Sequence, residues 1–308
     1  MSLKNVHFRG AYNFLGLPEE DARYEDARVV ILPVPYDSTT SYKAGTREGP
    51  LSLLLASRNV ELFDIDLECE PVNKGIHTLP ELEPDMRGPE ATVRAVEIAV
   101  KALLAEGKLP VVLGGEHSIS TGPVRAMAAK FGKNLSVLQL DAHADLRESF
   151  ENTPYSHASV MRRVLNLCPV TQVGIRNISA GEMEFVQKGQ KKNIFWAQDL
   201  QGPASAWIPR VVKTLKKKVY ISIDLDAFDP SVVPGVGTPE PGGMTWYPAI
   251  ELLKTVVRER EVVGIDIMEL CPQPGSVVSD FFAAKLLFKI LAEVFAKNDW
   301  ISDSGANI

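Results

Sequence analysis

The chain has 308 residues, with 39 Asp and Glu against 33 Lys and Arg, a formal net charge of −6 and 45% hydrophobic residues. Nucleic-acid-binding proteins usually carry a basic surface, so this balance argues against that class. The hydrophobic fraction is ordinary for a globular protein with a sizeable core.

The N-terminal MSLKNVHFRG lacks the apolar core of a signal peptide, and no apolar run approaches the ~18 residues of a membrane span. Three cysteines outside any CxxC pattern are expected to be free, buried thiols. Together these features predict a cytoplasmic protein.

Short apolar runs rich in β-branched residues recur along the chain and predict strands. These strands are expected at residues 28–34, 110–113, 135–140, 170–175, 193–196, 219–223 and 262–267. Helical patterns are expected between most of them, at residues 90–106, 122–131, 159–166, 181–188, 208–216, 246–260 and 279–297. This alternation predicts an α/β fold of three layers, αβα, in which a mostly parallel, doubly wound sheet lies between helices. Two loops rich in Gly and Pro, residues 36–50 and 230–243, are expected to border a site.

Six potential metal ligands directly follow three of the predicted strands. They are His117 in VVLGGEH, Asp141, His143 and Asp145 in LQLDAHAD, and Asp224 with Asp226 in YISIDLDAFDP. Sites form at the carboxyl ends of strands in open α/β sheets, and side chains at i, i+2 and i+4 of an extended segment share one face. One such Asp more often caps a helix or lies in a loop. Many carboxylates buried together, however, would repel one another or take up protons unless cations neutralise them. The three segments therefore predict a site for two metal ions.

These motifs resemble those of the ureohydrolase family (arginase, agmatinase and relatives), which carries GG-(D/E)-H, DAHxD and SxDxDxxDP in this order. The resemblance runs from VVILPVPYDSTTSYKAGTREGP to SDFFAAKLLFKILAEV. It implies an arginase-like fold and two Mn²⁺ ions per chain. The first ion would be held by His117, Asp141, Asp145 and Asp224, and the second by Asp141, His143, Asp224 and Asp226. Asp141 and Asp224 would therefore bridge the two ions.

Two further positions match the family pattern. His157 in YSHASV would shuttle protons, and Glu269 in GIDIMEL would hold the guanidinium group of a substrate. Without the resemblance, a loop histidine is more often a surface residue and a lone glutamate could be a salt-bridge partner. Asp145 is the third expected catalytic residue, because it could hydrogen-bond the attacking hydroxide and take its proton. The expected site residues span positions 117 to 269, so we expect a single catalytic domain over residues 1–308.

Two departures from the arginase pattern concern the substrate. Arg147 and Ser179 stand where arginases place an Asn and an Asp that grip the α-carboxylate and α-amine. We therefore expect agmatine to be the preferred substrate, cleaved to putrescine and urea. N1-aminopropylagmatine or guanidinobutyrate is expected next in preference, and arginine last. Arg147 would repel the ammonium of agmatine unless Glu148 or Glu151 offset its charge. Ala158 replaces the glycine that commonly follows the family's histidine, with an open consequence for specificity.

Two other classes of protein compete with this interpretation. A deacetylase-like enzyme would use one zinc ion and would not normally carry this whole array of ligands; carboxylate-rich ligation suits Mn²⁺ better than Zn²⁺, which favours Cys and His. A non-catalytic scaffold of the same fold would typically have lost ligands, and none is lost here. The expected partners are a small guanidino substrate and further copies of the chain, as a trimer or hexamer, with no nucleic acid and no membrane.

Overall fold

The computed structural model describes residues 12–190 and 193–301. Within these residues it contains eight strands: β1 (Val29–Val34), β2 (Ile76–Thr78), β3 (Leu109–Gly114), β4 (Leu135–Leu140), β5 (Val170–Ile175), β6 (Ile194–Trp196), β7 (Lys218–Asp224) and β8 (Glu261–Met268). They form one sheet in the order β2-β1-β3-β8-β7-β4-β5-β6, and the neighbouring strands are parallel. The predicted parallel sheet is confirmed.

Helices cover both faces of this sheet. They are α1 (Gly49–Ser57), α2 (Pro89–Ala105), α3 (Thr121–Phe131), α4 (Val160–Leu165), α5 (Ala180–Phe185), α6 (Ala204–Thr214), α7 (Trp246–Glu259) and α8 (Val278–Lys297). On one face α1, α6, α7 and α8 pack against strand residues such as Ile31 and Ile221. On the other face α2, α3 and α4 pack against residues such as Leu32 and Val137. Successive strand side chains point to opposite faces, so both faces are apolar and the predicted three-layer αβα arrangement is confirmed.

The strand order brings together the strands that carry the candidate site residues. β3, β8, β7 and β4 are adjacent at the centre of the sheet. Because parallel neighbours end at the same edge, the segments that follow these four strands meet there. Gly115, just after β3, permits a close approach to the end of β1: a Cβ atom at this position would lie 2.0 Å from the carbonyl oxygen of Tyr36. A larger residue at position 115 would therefore push the first loop away from the site.

Several local predictions differ from the structure. β2 and α1 were not predicted; α1 begins at Gly49 inside the expected loop 36–50, because Gly49 and Pro50 suggest a loop although Pro is well tolerated in a first helical turn. α6 begins at Ala204 and contains Pro209 in its interior, whereas the prediction placed the helix start beside that proline. Cys69 is only half-buried, while the other two cysteines are buried, and all three are free.

The segment MSLKNVHFRG, which was expected to lack a signal peptide's apolar core, lies outside the described residues. Among the helices that the structure describes, none combines the length and the apolar character needed to cross a membrane.

A buried ion pair ties α8 to the segment before β2. Lys289 is 7% exposed, and its Nζ lies 2.8 Å from Asp64 Oδ2 and 2.7 Å from Asp66 Oδ2. Burial alone would lower the pKa of Lys289, but the hydrogen bonds to Asp64 and Asp66 raise it. The ammonium therefore stays charged and holds the two carboxylates against the helix.

We predict that Lys289→Met lowers the free energy of unfolding by about 3–5 kcal/mol, because it leaves a buried carboxylate unpaired. The carboxylate concerned is Asp64, which is 2% exposed. Urea denaturation at fixed protein concentration measures this loss. Arg23→Ala is the control, since Arg23 and Asp26 form a pair whose side chains are 61% and 63% exposed, and exposed pairs contribute little. Unfolding curves that coincide for the two variants would contradict the prediction.

Candidate metal centre

The candidate ligands form two groups that share Asp141: His117, Asp141 and Asp145 make up the first, and Asp141, His143 and Asp226 the second. His117 belongs to the first group. It is 1% exposed, and its Nδ1 lies 3.1 Å from Asp141 Oδ2, 3.2 Å from Asp145 Oδ2 and 3.3 Å from Asp224 Oδ2. Among the described residues this buried nitrogen has no hydrogen-bond partner. Buried polar atoms are almost always satisfied, so a nitrogen facing three carboxylates without a hydrogen bond indicates a place for a cation.

His143 lies in the second group. Its Nδ1 is 2.8 Å from Asp226 Oδ2 and 3.7 Å from Asp141 Oδ1. Asp141 thus presents one oxygen to each group, as a bridging carboxylate would. Asp224 contacts the first group through Oδ2, whereas its Oδ1 accepts a hydrogen bond from the backbone N–H of Asp226 at 2.9 Å. Both bridges, through Asp141 and through Asp224, stay predictions.

The candidate ligands converge through an extended segment and turns. Beyond the end of β4 at Leu140, His143 pairs with Asn177 in an isolated parallel bridge, and the chain turns at Asp145, which has a φ of 56°. The expected approach of Asp141 to both His143 and Asp145 is seen in the structure. A 3₁₀ turn, Leu225–Ala227, follows Asp224. Glu269, with a φ of 64°, is also left-handed. Such conformations cost on the order of 1–3 kcal/mol in non-glycine residues and cluster at functional sites.

The charges of the site demand neutralisation. Burial, followed by the charge of Asp141, raises the pKa of Asp145 to about 7. Burial and the charge of Asp226 raise the pKa of Asp224 well above its usual range. Burial would lower the pKa of His143, but the carboxylates of Asp226 and Asp141 raise it to about 12. The protein alone would therefore hold protons here, and divalent cations can take their place.

Behind His117, a polar chain crosses from β7 to β8. His117 Nε2 lies 2.9 Å from Ser222 Oγ, and Ser222 is paired with Asp266 across the sheet. Asp266 in turn accepts a hydrogen bond from Tyr220 Oη at 2.8 Å. A proton on Nε2 that points to Ser222 leaves the lone pair of Nδ1 directed at the carboxylates. These residues were not predicted from the sequence, although polar residues inside apolar strands were the available signal.

His157 faces the ligands from the loop before α4. Its Nε2 lies 3.2 Å from Ser41 Oγ, and its Nδ1 lies 3.4 Å from Thr39 Oγ1. Burial lowers the pKa of His157 to about 4, so the ring is neutral near pH 7. It belongs to neither group of metal-binding side chains found in the described residues. The structure thus places His157 beside the candidate ligands and outside both groups.

A second polar chain, also missed from the sequence, holds the loop after β1 in place. Glu116 is fully buried, and the Oγ1 and backbone N of Thr39 each donate a hydrogen bond of 2.5 Å to its carboxylate. The same Oγ1 accepts the backbone N–H of His157 at 3.1 Å. Burial raises the pKa of Glu116 to about 7. Thr39 thereby connects the acid of the GGEH motif to His157.

Glu269 completes the set of predicted residues. Its Oε1 accepts a hydrogen bond of 2.7 Å from the backbone N–H of His117. It lines a narrow pocket that His157, Asp145 and Asp226 also line. All eight predicted site residues therefore lie together at the carboxyl ends of the central strands.

The narrow pocket adjoins a wider cavity of about 220 Å³, lined by Arg147, Ser179, Glu182 and Glu240 among others. Arg147 Nε lies 3.9 Å from Glu182 Oε2, and its Cζ lies 4.8 Å from the centroid of the Phe150 ring. Glu148, one of the two acids named as able to offset the charge of Arg147, instead contacts Arg162 and Arg163 at 2.9 and 2.8 Å. The acid that faces Arg147 is Glu182.

Comparison with known proteins agrees with this geometry. The model of the arginase family matches residues 27–292 of the chain. An N(1)-aminopropylagmatine ureohydrolase of Synechocystis sp. is 40% identical over 277 residues, which cover 87% of this chain and 89% of that protein. An agmatinase of Pyrococcus horikoshii is 34% identical over 280 residues, covering 89% of this chain and 94% of that protein. The agmatine ureohydrolase structure of Thermoplasma volcanium matches with a TM-score of 0.82 at 33% identity, over 90% of this chain and 93% of that one.

The family match spans most of the described residues, and the solved structure has the same fold. The family predicted from the three motifs is thereby confirmed. The chain belongs to the arginase family, whose members similar to it are hydrolases of amidino carbon–nitrogen bonds.

Proposed function

We propose that the chain is a binuclear manganese ureohydrolase that releases urea from a small guanidino substrate with a cationic tail. The observation that carries this proposal is the convergence of candidate ligands into two groups that share Asp141. Glu269 and His157 line the pocket beside them. A site for a single zinc ion would not require a shared carboxylate of this kind.

The first Mn²⁺ would be held by His117, Asp141, Asp145 and Asp224, and the second by Asp141, His143, Asp224 and Asp226. Carboxylate oxygens dominate this set, which suits a hard cation such as Mn²⁺ better than Zn²⁺. When bound, the ions supply Lewis acidity that lowers the pKa of a water molecule, so that a nucleophile is available near neutral pH.

The remaining chemistry falls to the side chains of this chain. Glu269 Oε1 is engaged by the backbone of His117, so Oε2 is the oxygen that would orient a guanidinium N–H. Asp145 would accept a hydrogen bond from the attacking water and take its proton. His157, whose ring is neutral near pH 7, would relay a proton from solvent to the leaving amine, accepting one at one ring nitrogen as it donates one from the other. The products are urea and an amine.

Substrates without an amino-acid end fit the cavity best. Ser179, which stands where arginases hold an α-amine, is occupied as the N-cap of α5: its Oγ lies 2.6 Å from Glu182 Oε2 and accepts the backbone N–H of Glu182. Among the relatives reported above, the one at 40% identity is named for N(1)-aminopropylagmatine and the one at 34% for agmatine. We therefore propose N1-aminopropylagmatine as the preferred substrate and agmatine as the second, which reverses the order of preference expected from the sequence.

The same proposal includes a cytoplasmic homo-oligomer, a trimer or hexamer. A groove of about 610 Å³, which shares no lining residue with the narrow pocket, is bordered by Ile65 and Tyr247. These side chains are 80% and 82% exposed. Exposed apolar surface of this kind is typical of protein–protein contacts.

The metal assignment predicts different losses for different ligands. Asp141→Asn should lose both ions, because Asp141 faces both groups, whereas His117→Asn should weaken mainly one. Metal analysis of the purified proteins should give two ions per chain for the wild type when saturated. Chelation should abolish urea release, and Mn²⁺ should restore it better than Zn²⁺. Equal metal loss in the two variants, or a saturated wild type with one ion, would contradict the assignment.

His157→Asn should keep both metal ions and lower kcat by roughly 10² to 10⁴, the usual contribution of general acid–base catalysis. Metal content and kcat are measured on the same preparation. Glu148→Gln serves as a control, because Glu148 pairs with Arg162 and Arg163, and its kcat should match the wild type. A fall in metal content parallel to the fall in kcat would show that His157 is a ligand instead.

The substrate proposal is tested with a panel of guanidino compounds. N1-aminopropylagmatine and agmatine should exceed arginine in kcat/KM by roughly 10² or more, because Arg147 and Ser179 replace the residues with which arginases hold the α-carboxylate and α-amine. Arg147→Ala should leave this order unchanged, since Glu182 already faces Arg147. Arginine turning over best with the wild type would refute the proposal.

A further inference from the structure

One acidic side chain of the wider cavity has no part in the chemistry proposed so far. Glu240 lies in the loop between β7 and α7 and lines the 220 Å³ cavity together with His143 and His157. Its carboxylate oxygen Oε1 lies 3.9 Å from His143 Nε2, and the side chain is 32% exposed. Asn177 Nδ2 donates a hydrogen bond to the same oxygen. The carboxylate of Glu240 therefore lies in the wider cavity, beside a candidate metal ligand.

The distance of Glu240 from the metal ligands is set by one imidazole ring. His143 directs Nδ1 to Asp226 at 2.8 Å and Nε2 to Glu240 at 3.9 Å. Glu240 therefore lies one imidazole ring beyond the candidate ligand Asp226, on the side of the wider cavity.

The backbone of Glu240 is fixed relative to the metal ligands. Arg176 Nη2 donates hydrogen bonds to the carbonyl oxygens of Glu240 at 2.7 Å and of Asp226 at 2.6 Å. Arg176 Nε donates a further bond to the carbonyl oxygen of Pro241 at 3.1 Å. Pro239 and Pro241 flank Glu240 and restrict the backbone further. The carboxylate is therefore positioned before any substrate binds, which reduces the entropy lost on binding.

The charge balance of the cavity favours a cation. Apart from the predicted site residues, its charged lining consists of Arg147, Glu182 and Glu240 among the described residues. Arg147 faces Glu182 at 3.9 Å and lies over the Phe150 ring. Glu240 has a neutral amide, that of Asn177, as its hydrogen-bond partner. His143 Nε2 lies 3.9 Å away, on a ring that would be neutral as a metal ligand. The carboxylate of Glu240 would then repel an anionic tail.

We propose that Glu240 binds the first amine of the substrate's tail and so selects cationic over anionic guanidino compounds. This inference rests on the proposed ureohydrolase function and names the specificity residue of that site. The amine in question is terminal in agmatine and internal in N1-aminopropylagmatine, which explains how one carboxylate serves both. Guanidinobutyrate carries a carboxylate at the same end, and Glu240 repels it.

The test compares Glu240→Gln with the wild type on agmatine, guanidinobutyrate and the uncharged analogue butylguanidine. We expect KM for agmatine to rise about 10- to 100-fold, the usual effect of losing a hydrogen bond to a charged group, with kcat changed less than about threefold, because uniform binding is lost. KM for butylguanidine should stay the same, and KM for guanidinobutyrate should fall. Glu148→Gln is the matched control, since this carboxylate is 68% exposed and pairs with Arg162 and Arg163; it should leave all three KM values unchanged.

An equal rise in KM for agmatine and butylguanidine would show a structural role and overturn the inference, as would an unchanged KM for agmatine. Calorimetric binding of agmatine and butylguanidine to the Mn²⁺-loaded protein separates this inference from the proposed function. Selective loss of agmatine binding in Glu240→Gln supports the role of Glu240 even where no urea is released. Wild-type protein that binds agmatine and N1-aminopropylagmatine but releases urea from neither would contradict the ureohydrolase proposal alone.

Discussion

Repulsion among buried carboxylates at the ends of the central strands is the constraint on which the rest of the structure depends. Asp141, Asp145, Asp224 and Asp226 are each at most 5% exposed, and Glu269 is 8% exposed. Desolvation and mutual repulsion oppose their assembly. The strands beneath them are buried on both faces by two apolar layers, and this burial stabilises the sheet edge that holds them. Bound cations would neutralise the remaining repulsion among the carboxylates.

The sheet could be predicted from the sequence because strands covered on both faces leave continuous apolar runs. Leu135–Leu140 and Val170–Ile175 match their predicted bounds to the residue. Ile76–Thr78 could not be recognised, because three residues that include a histidine have no periodicity. Helix α1 could not be predicted for a different reason, because Gly and Pro, which stand at its start, are common both in loops and in first helical turns.

The candidate ligands could be identified from motifs at strand ends, but the way they meet could not. Left-handed backbone at Asp145 and Glu269 has no sequence signature in non-glycine residues. The contacts of Thr39 with Glu116 and with His157 join residues 77 and 118 positions apart. Likewise, Arg147 could be recognised as a departure from the arginase pattern, whereas the acid facing it, Glu182, depends on how α5 packs. Tertiary contacts of this kind lie outside what local patterns encode.

The guanidinium of Arg176 has a consequence for how specificity can diverge within the family. It joins the carbonyl oxygens of Asp226 and Glu240, so the turn that carries a candidate metal ligand and the loop that borders the wider cavity share one anchor. An insertion in this loop would displace the anchor and disturb the ligand turn with it. New substrate preferences should therefore arise here by exchanging single side chains while the loop keeps its length, and loop grafting between relatives should conserve the arginine along with the loop.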